Sequence, residues 1–320
     1  MADSIETWAA KVLARDRRAV ARAISAVESG DARGTALLKR LFAASGKAEV
    51  IGITGSPGAG KSTLVEKLAG VYRSAGARVG IVAIDPTSPF SGGALLGDRI
   101  RMQSLAGDKD IYIRSMATRG QLGGLAPTTQ DVIAILDAAG CDVVLVETVG
   151  VGQDEVEVAR LADATALLLV PGMGDEVQTF KAGVMEIADL YVLNKSDLPG
   201  AERLEQELSA MLAMASGEDG WRPPIVKAIS TTGAGVADVR QALEHFRLYQ
   251  EQSAGKEERR RRYWRSRLLE LLRRNLFEKV VTERLPDGSL ERLIDEVVAH
   301  RADPYSLVEG IVAEVLGTGG

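Results

Sequence analysis

The sequence predicts an α/β protein with a doubly wound, mostly parallel sheet and helical extensions at both ends. Two observations lead to this fold class. The strand-like runs between residues 50 and 229 are continuously apolar, which is typical of strands that are covered on both faces. These runs also alternate with helical segments, and strand–helix–strand repetition produces parallel strands.

The elements are predicted in chain order from apolar periodicity and from turn residues. Residues 3–29 predict one helix and residues 34–44 a second, with a boundary near 45–48. The α/β part then predicts strands at 50–54, 79–85, 111–115, 142–147, 164–170, 190–194 and 224–229, and helices at 60–75, 128–139, 201–214 and 236–250. A polar, arginine-rich stretch at 251–262 precedes helices that include 289–301 and 304–316. We therefore expect three parts: an N-terminal helical extension (1–46), the α/β domain (47–250) and a C-terminal helical arm (251–320).

Composition narrows the class of protein. Apolar residues make up 46% of the chain, aromatic residues 4%, and the net charge is −5. This balance indicates a globular protein and argues against a nucleic-acid partner, because stacking platforms need aromatic side chains. The first residues lack a secretory signal and no apolar run is long enough to span a membrane. We expect a cytoplasmic protein without a membrane partner, in which the single cysteine, Cys141, is a buried small side chain.

The strongest motif is a phosphate-binding loop between the first α/β strand and the helix after it. Its residues match the eight-residue glycine-rich pattern in full, and the next residue extends it: Gly55, Ser56, Pro57, Gly58, Ala59, Gly60, Lys61, Ser62 and Thr63. The glycines allow backbone N–H groups to surround a phosphate, and the helix adds its positive end. Lys61 is expected to bridge the β- and γ-phosphates, and Ser62 to bind Mg²⁺.

A second motif selects the base. Asn194, Lys195 and Asp197 follow directly after an apolar strand, at the sheet edge where ligands of open α/β sheets bind. The Asp197 carboxylate accepts hydrogen bonds from N1–H and the amino group of guanine, donors that adenine lacks, so the pattern predicts GTP and GDP. Ser230, Thr231 and Thr232, which follow the next strand, are candidates to complete the base pocket, although such residues are also common as helix caps.

Acidic residues at strand ends are candidates for the metal network and for catalysis. Asp85 ends one strand, Asp98 lies in the loop after it, and Glu147 ends another strand, so each is a candidate Mg²⁺ ligand. A helix cap or a surface turn is the structural alternative for Asp85 and Asp98. Gly150 is a candidate donor to the γ-phosphate. It is followed by Val151, which cannot orient a water molecule, so we expect slow hydrolysis without a partner.

Six strings of the sequence are long or unusual enough to indicate a family: GSPGAGKST, AIDPTSPFSGGALLGDRIRM, RGQLGGLAPTT, ETVGVGQDE, PGMGDEVQTFKAG and NKSD, in register from about residue 51 to residue 197. In these strings the chain resembles the MeaB/ArgK family of P-loop GTPases. The resemblance implies a GTPase that chaperones adenosylcobalamin-dependent methylmalonyl-CoA mutase. It also implies catalytic or metal-network roles for Lys61, Asp98 and Glu147, and a partner-facing switch containing Asp175, Gln178 and Lys181.

The same resemblance implies that the C-terminal helices form a homodimerisation arm. From the residues alone, the apolar stripe from Trp264 to Phe277 is equally compatible with an internal core and with a dimer interface. Two other functions stay open at this point. One is a metallochaperone GTPase for another metalloenzyme, although Cys141, His245 and His300 are scattered in the sequence. The other is an amino-acid transport-linked kinase, a label that also attaches to such sequences.

Overall fold

The protein is described from a computed structural model, which covers residues 3–85, 102, 105, 107–117, 126–148, 158–172, 185–214, 220–253, 255–285 and 288–316. The chain forms two compact units, residues 1–260 and residues 261–320. Unit 1 contains the sheet and the N-terminal helices.

A seven-stranded sheet forms the centre of unit 1, and every pair of neighbouring strands in it is parallel. Its strands are β1 Glu49–Gly55, β2 Val79–Asp85, β3 Ile111–Ala117, β4 Val143–Glu147, β5 Ala164–Leu169, β6 Leu190–Asn194 and β7 Ile225–Ala228, in the order β3-β2-β4-β1-β5-β6-β7. All residues of β4, β5 and β6 are buried, as their continuous apolar runs predict. The predicted doubly wound parallel fold is confirmed.

Helices cover both faces of this sheet. The helices of unit 1 that the structure describes from end to end are α1 Ile5–Leu13, α2 Arg17–Glu28, α3 Ala32–Leu41, α4 Lys61–Ser74, α5 Ala126–Ala138, α6 Ala201–Met214 and α7 Val236–Gln252. The helix α8 Gly255–Arg284 begins here and continues beyond residue 260. One core lies beneath α4 and α7, and another joins α1–α3 and α5 to the opposite face. Cys141 is buried in the second core, as predicted, and burial raises the pKa of its thiol to about 12.

The predicted single helix over residues 3–29 is wrong, because the chain forms α1 and α2 with a break between them. Arg15 has a φ of +68°, and the N–H of Asp16 donates to the carbonyl of Lys11, which closes α1 in a left-handed turn. The Asp16 carboxylate then accepts from the N–H of Ala19 at 2.7 Å and caps α2. The apolar periodicity did not reveal this break, because α1 and α2 both bury their apolar side chains in the same core.

Unit 2 holds the rest of α8 together with α9 Ser289–Val298 and α10 Pro304–Leu316. Many of its large apolar side chains are exposed in the single chain: Leu268, Leu269, Leu272, Leu276, Phe277, Leu290, Ile294, Val298, Tyr305, Val308 and Val312. The stripe predicted between Trp264 and Phe277 therefore leaves much of its apolar surface outside a core. Among the described helices, not one combines the length and the apolar character that a membrane span requires.

Candidate nucleotide site

The phosphate loop lies at the carboxyl end of β1, in the middle of the sheet. The chain builds β2, β3 and β4 on one side of β1 and then β5, β6 and β7 on the other, so the loop sits where the strand order changes direction. Ligands of open α/β sheets bind at such a position. Gly60 precedes α4 and has no side chain that would occupy the first N–H groups of the helix, which leaves these groups available to bind an anion.

Two glycines of the loop are required by their surroundings. Gly55 has a φ of +139°, and a Cβ atom there would lie 2.5 Å from the carbonyl oxygen of Leu168 on β5. Gly60 has a φ of +93°, and its Cβ would lie 2.5 Å from Nδ2 of Asn194. Both values are left-handed backbone that favours glycine. The loop is therefore packed directly against the carboxyl ends of β5 and β6.

Lys61 and Ser62, the first residues of α4, point into the loop region. Lys61 is only 6% exposed, and its Nζ donates to the carbonyl oxygens of Gly55 at 2.6 Å and Ser56 at 3.0 Å. The Ser62 hydroxyl donates to Oε1 of Glu147 at 2.6 Å. Glu147, at the end of β4, is 5% exposed. The structure thus brings a cation, a hydroxyl and a carboxylate together beside the loop.

The Asn194 side chain joins three parts of the predicted site that are far apart in sequence. Its Nδ2 donates to the carbonyl of Ala59 at 2.7 Å, inside the phosphate loop. Its Oδ1 accepts from both the N–H of Ser230, at 3.1 Å, and the Ser230 hydroxyl, at 2.8 Å. Asn194 and Ser230 are both buried, so this network fixes the loop after β6 and the loop after β7 against the phosphate loop.

The other residues predicted to contact the base lie nearer to solvent. Nζ of Lys195 donates to the carbonyl of Gly58 at 2.9 Å, so its stem runs alongside the loop. Asp197 and Thr231 are exposed at the same edge of the sheet. The Thr232 hydroxyl donates to the carbonyl of Ile229 at 3.2 Å and accepts from the N–H of Ala234 at 3.3 Å, so it closes its own turn.

Several predicted residues lie outside the described part of the chain: Asp98, Gly150, Asp175, Gln178 and Lys181. Asp85 is the last residue of β2, and its backbone pairs with Ala117 of β3. The side chain of Asp85 lies outside the described part of the structure. The metal and switch roles given to these residues stay predictions.

Two residues beside the site were missed by the sequence interpretation. Thr54 is the last residue before the loop, Thr148 is the first after Glu147, and their Oγ1 atoms are 3.2 Å apart. Both side chains are buried, with exposures of 0% and 1%. The signal that would have found them is a hydroxyl residue at the carboxyl end of each of two neighbouring apolar strands.

Comparison with known proteins matches this architecture to one family. The family model for methylmalonyl Co-A mutase-associated GTPase MeaB matches residues 20–285. A Pyrococcus abyssi protein named "Putative GTPase" is 46% identical over 307 residues, covering 95% of this chain and 94% of that protein. The mouse protein named "Methylmalonic aciduria type A homolog, mitochondrial" is 36% identical over 287 residues, covering 83% and 68%.

A solved structure shares the fold across the whole chain. The crystal structure titled LAO/AO transport system kinase superposes with a TM-score of 0.73 at 24% identity and covers 99% of both chains. This likeness concerns the fold, and the family match and the sequence relatives give the assignment. The chain belongs to the MeaB family and is a P-loop GTPase, which binds guanine nucleotide and hydrolyses GTP.

Proposed function

We propose that this GTPase is a chaperone of an adenosylcobalamin-dependent acyl-CoA mutase of the methylmalonyl-CoA mutase type, and that it gates loading and protection of the cofactor. The observation that carries the proposal is the match of residues 20–285 to a family named for its association with that mutase. The name of the mouse relative, which refers to methylmalonic aciduria, points to the same metabolism.

The nucleotide is held by two groups of residues in this proposal. The phosphate loop and Lys61 bind the phosphates, and Asp197 reads the guanine edge. Asn194 acts mainly by holding the loop, since both ends of its amide are already engaged by Ala59 and Ser230. Asp197 is exposed at the sheet edge, which leaves its carboxylate accessible to a base entering from solvent.

Ser62 and Glu147 would hold Mg²⁺ on the phosphate side. Their oxygens are 2.6 Å apart and both are the hard oxygen donors that Mg²⁺ prefers, so the residues present fit this ion. Bound there, Mg²⁺ supplies charge neutralisation on the β- and γ-phosphate oxygens. Asp85 and Asp98 belong to the same proposed metal network. Ser62 and Glu147 would orient the phosphate end, while Lys61 stabilises negative charge on the leaving oxygens.

Hydrolysis is proposed to be slow without a partner, because the residue that follows Gly150 in the sequence is Val151, which cannot orient a water molecule. Asp175, Gln178 and Lys181 are the proposed contacts through which the mutase senses the nucleotide. In this proposal the binding of the GTPase to the mutase depends on whether GTP or GDP is bound, and slow hydrolysis sets how long the GTP-bound form lasts.

The proposed homodimer uses the exposed apolar side chains of the C-terminal arm. Leu272 is 56% exposed and Phe277 is 58% exposed, which is unfavourable for side chains of this size in water. Replacing Leu272 with Glu is expected to shift the protein toward monomer in light scattering after size-exclusion chromatography. Leu13→Glu, at a 45% exposed position on α1, is the matched control and should leave the dimer intact. A wild-type monomer at micromolar concentration would contradict the proposal.

The partner is tested by pull-down of the purified cognate mutase with GDP and with a non-hydrolysable GTP analogue at low salt. We expect binding that differs between the two nucleotides. The matched variant is Asp197→Asn, whose amide reverses one acceptor and should exchange the response to guanine nucleotides for a response to xanthine nucleotides. Failure of the mutase to bind in every nucleotide state would refute the partner while leaving GTP hydrolysis intact. Transfer of labelled phosphate from GTP to an amino-acid or protein acceptor would instead support a kinase.

A further inference from the structure

A buried pair of threonine hydroxyls lies directly beneath the phosphate loop. Thr54 ends the apolar part of β1, one residue before Gly55, and Thr148 follows β4, one residue after Glu147. Oγ1 of Thr148 lies 3.2 Å from Oγ1 of Thr54, and both side chains are almost completely inaccessible to water. The pair therefore connects the strand that leads into the phosphate loop to the strand that carries Glu147.

The backbone makes a second connection at the same place. The N–H of Thr148 donates to the carbonyl of Ile53 at 3.1 Å, which extends the β1–β4 pairing by one residue beyond Ile53 and Glu147. Thr148 is thus held to β1 through its backbone and its side chain. On one side of this connection is Glu147, whose carboxylate accepts from Ser62; on the other is the start of the phosphate loop.

The chemistry of the pair argues against simple filling of the core. Ile53, Leu145 and Val146 nearby on the same two strands are fully buried and apolar, so valine would serve equally well for packing at the two threonine positions. A buried hydroxyl is tolerated only when it is hydrogen-bonded, and here the Thr148 hydroxyl donates to the Thr54 hydroxyl. A directional bond holds two strand ends at a fixed separation in a way that methyl contacts do not.

We propose that Thr54 and Thr148 are positioning residues for GTP hydrolysis. Neither needs to touch the nucleotide. They hold the end of β4 against the start of the phosphate loop, so that the Glu147 carboxylate and the Ser62 hydroxyl keep the geometry required in the transition state. A small displacement of a positioned group lowers the rate of the chemical step more than it lowers ground-state binding. This inference concerns hydrolysis itself and does not depend on the identity of the mutase.

The test compares Thr148→Val, Thr54→Val, the double Val variant, Thr148→Ser and Thr54→Ser in the full-length protein. Single-turnover hydrolysis gives the rate constant, titration with fluorescent GDP gives the affinity, and thermal melts confirm folding. We expect Thr148→Val to lower the hydrolysis rate about tenfold while KM for GTP and GDP affinity change less than about twofold. Thr148→Ser should restore most of the rate, because it keeps the hydroxyl and loses only a methyl group.

The double Val variant keeps the inference testable if a single variant folds poorly, because it restores a packed apolar pair without an orphaned hydroxyl. Its rate should be no lower than that of Thr148→Val, since the two residues act as one unit. The inference is overturned if folded Thr148→Val, or the folded double variant, hydrolyses GTP within twofold of wild type. It is equally overturned if the Ser and Val variants at residue 148 lose activity to the same extent, or if rate and nucleotide affinity fall together.

Discussion

Glu49→Gln is expected to stabilise unit 1 at alkaline pH and to have little effect at acidic pH. Glu49 begins β1 at the end of the sheet opposite the nucleotide site, next to Asp163, whose backbone and carboxylate both bond to Val50. Burial raises the pKa of Glu49 from its ordinary value of 4.5 to about 7, and the negative charge of Asp163 adds to the effect. The positive charges of Arg247 and Lys256 partly oppose this rise in the pKa of Glu49.

The sign of this pH dependence of stability follows from proton linkage. Between pH 4.5 and about 7 the folded protein keeps a proton on Glu49 that the unfolded chain has released, so folding is favoured by protonation. This contribution is fully present below pH 4.5 and is lost as pH rises through about 7. The interval corresponds to an upper bound of about 3 kcal/mol at about 1.4 kcal/mol per pH unit. Because Glu49 is only partly buried and basic groups are close, we expect about 1–2 kcal/mol.

The assay is urea unfolding of wild type and Glu49→Gln at pH 5.5 and pH 8.5, followed by circular dichroism. The gain in unfolding free energy from the substitution should be larger at pH 8.5 than at pH 5.5 by about 1 kcal/mol, because part of the interval between pH 4.5 and 7 lies below pH 5.5. Glu202→Gln is the control, because it removes the same charge from an exposed position on α6. It distinguishes the effect of burial from the effect of a change in net charge. A Glu49→Gln effect that is the same at both pH values, or larger at pH 5.5, would refute the reasoning.

Three further predictions concern other parts of unit 1. Gly60→Ala should weaken GDP binding at least about tenfold in a fluorescence titration, because its backbone is left-handed and its Cβ would collide with Asn194; unchanged binding would contradict the loop geometry. Asp189→Asn should lower the unfolding free energy by about 2 kcal/mol, because Asp189 is 5% exposed and bonds Arg259 through both oxygens; Arg259→Lys should cost less, since charge is retained. Asp137→Asn should cost about 1–2 kcal/mol in the same measurement, because its carboxylate accepts from consecutive amides of the turn before β1, and a neutral result would assign that turn to backbone preference alone.

Most of the sheet was predictable because the information for it is local. Each strand is a short apolar run, and β1, β3, β6 and β7 are each followed by a helix whose period is visible within a dozen residues. The strand beginning at Ile111 and the one ending at Asn194 were both found in this way. The phosphate loop was equally accessible, because a backbone that wraps a phosphate imposes glycine at set spacings within eight residues.

The failures share a physical cause. The break at Arg15 depends on one backbone angle and on the Asp16 cap, neither of which disturbs the apolar periodicity that was used to predict the helix. The Thr54–Thr148 pair depends on β1 and β4 being neighbours, although about ninety residues and two other strands separate them in sequence. Arg259 lies in the arginine-rich stretch at 251–262, and its buried partner, Asp189, could not be identified without the fold.

The sequence by itself therefore determined the phosphate loop, the guanine motif, the alternating α/β architecture and the family. Tertiary structure alone decided how these parts are held together. It decided that Asn194 links the phosphate loop to Ser230, that Ser62 meets Glu147, and that a threonine pair lies beneath them. The reason is that residue types and their spacing encode local backbone conformation, while contacts between separate loops depend on strand order and register, which many distant residues set jointly.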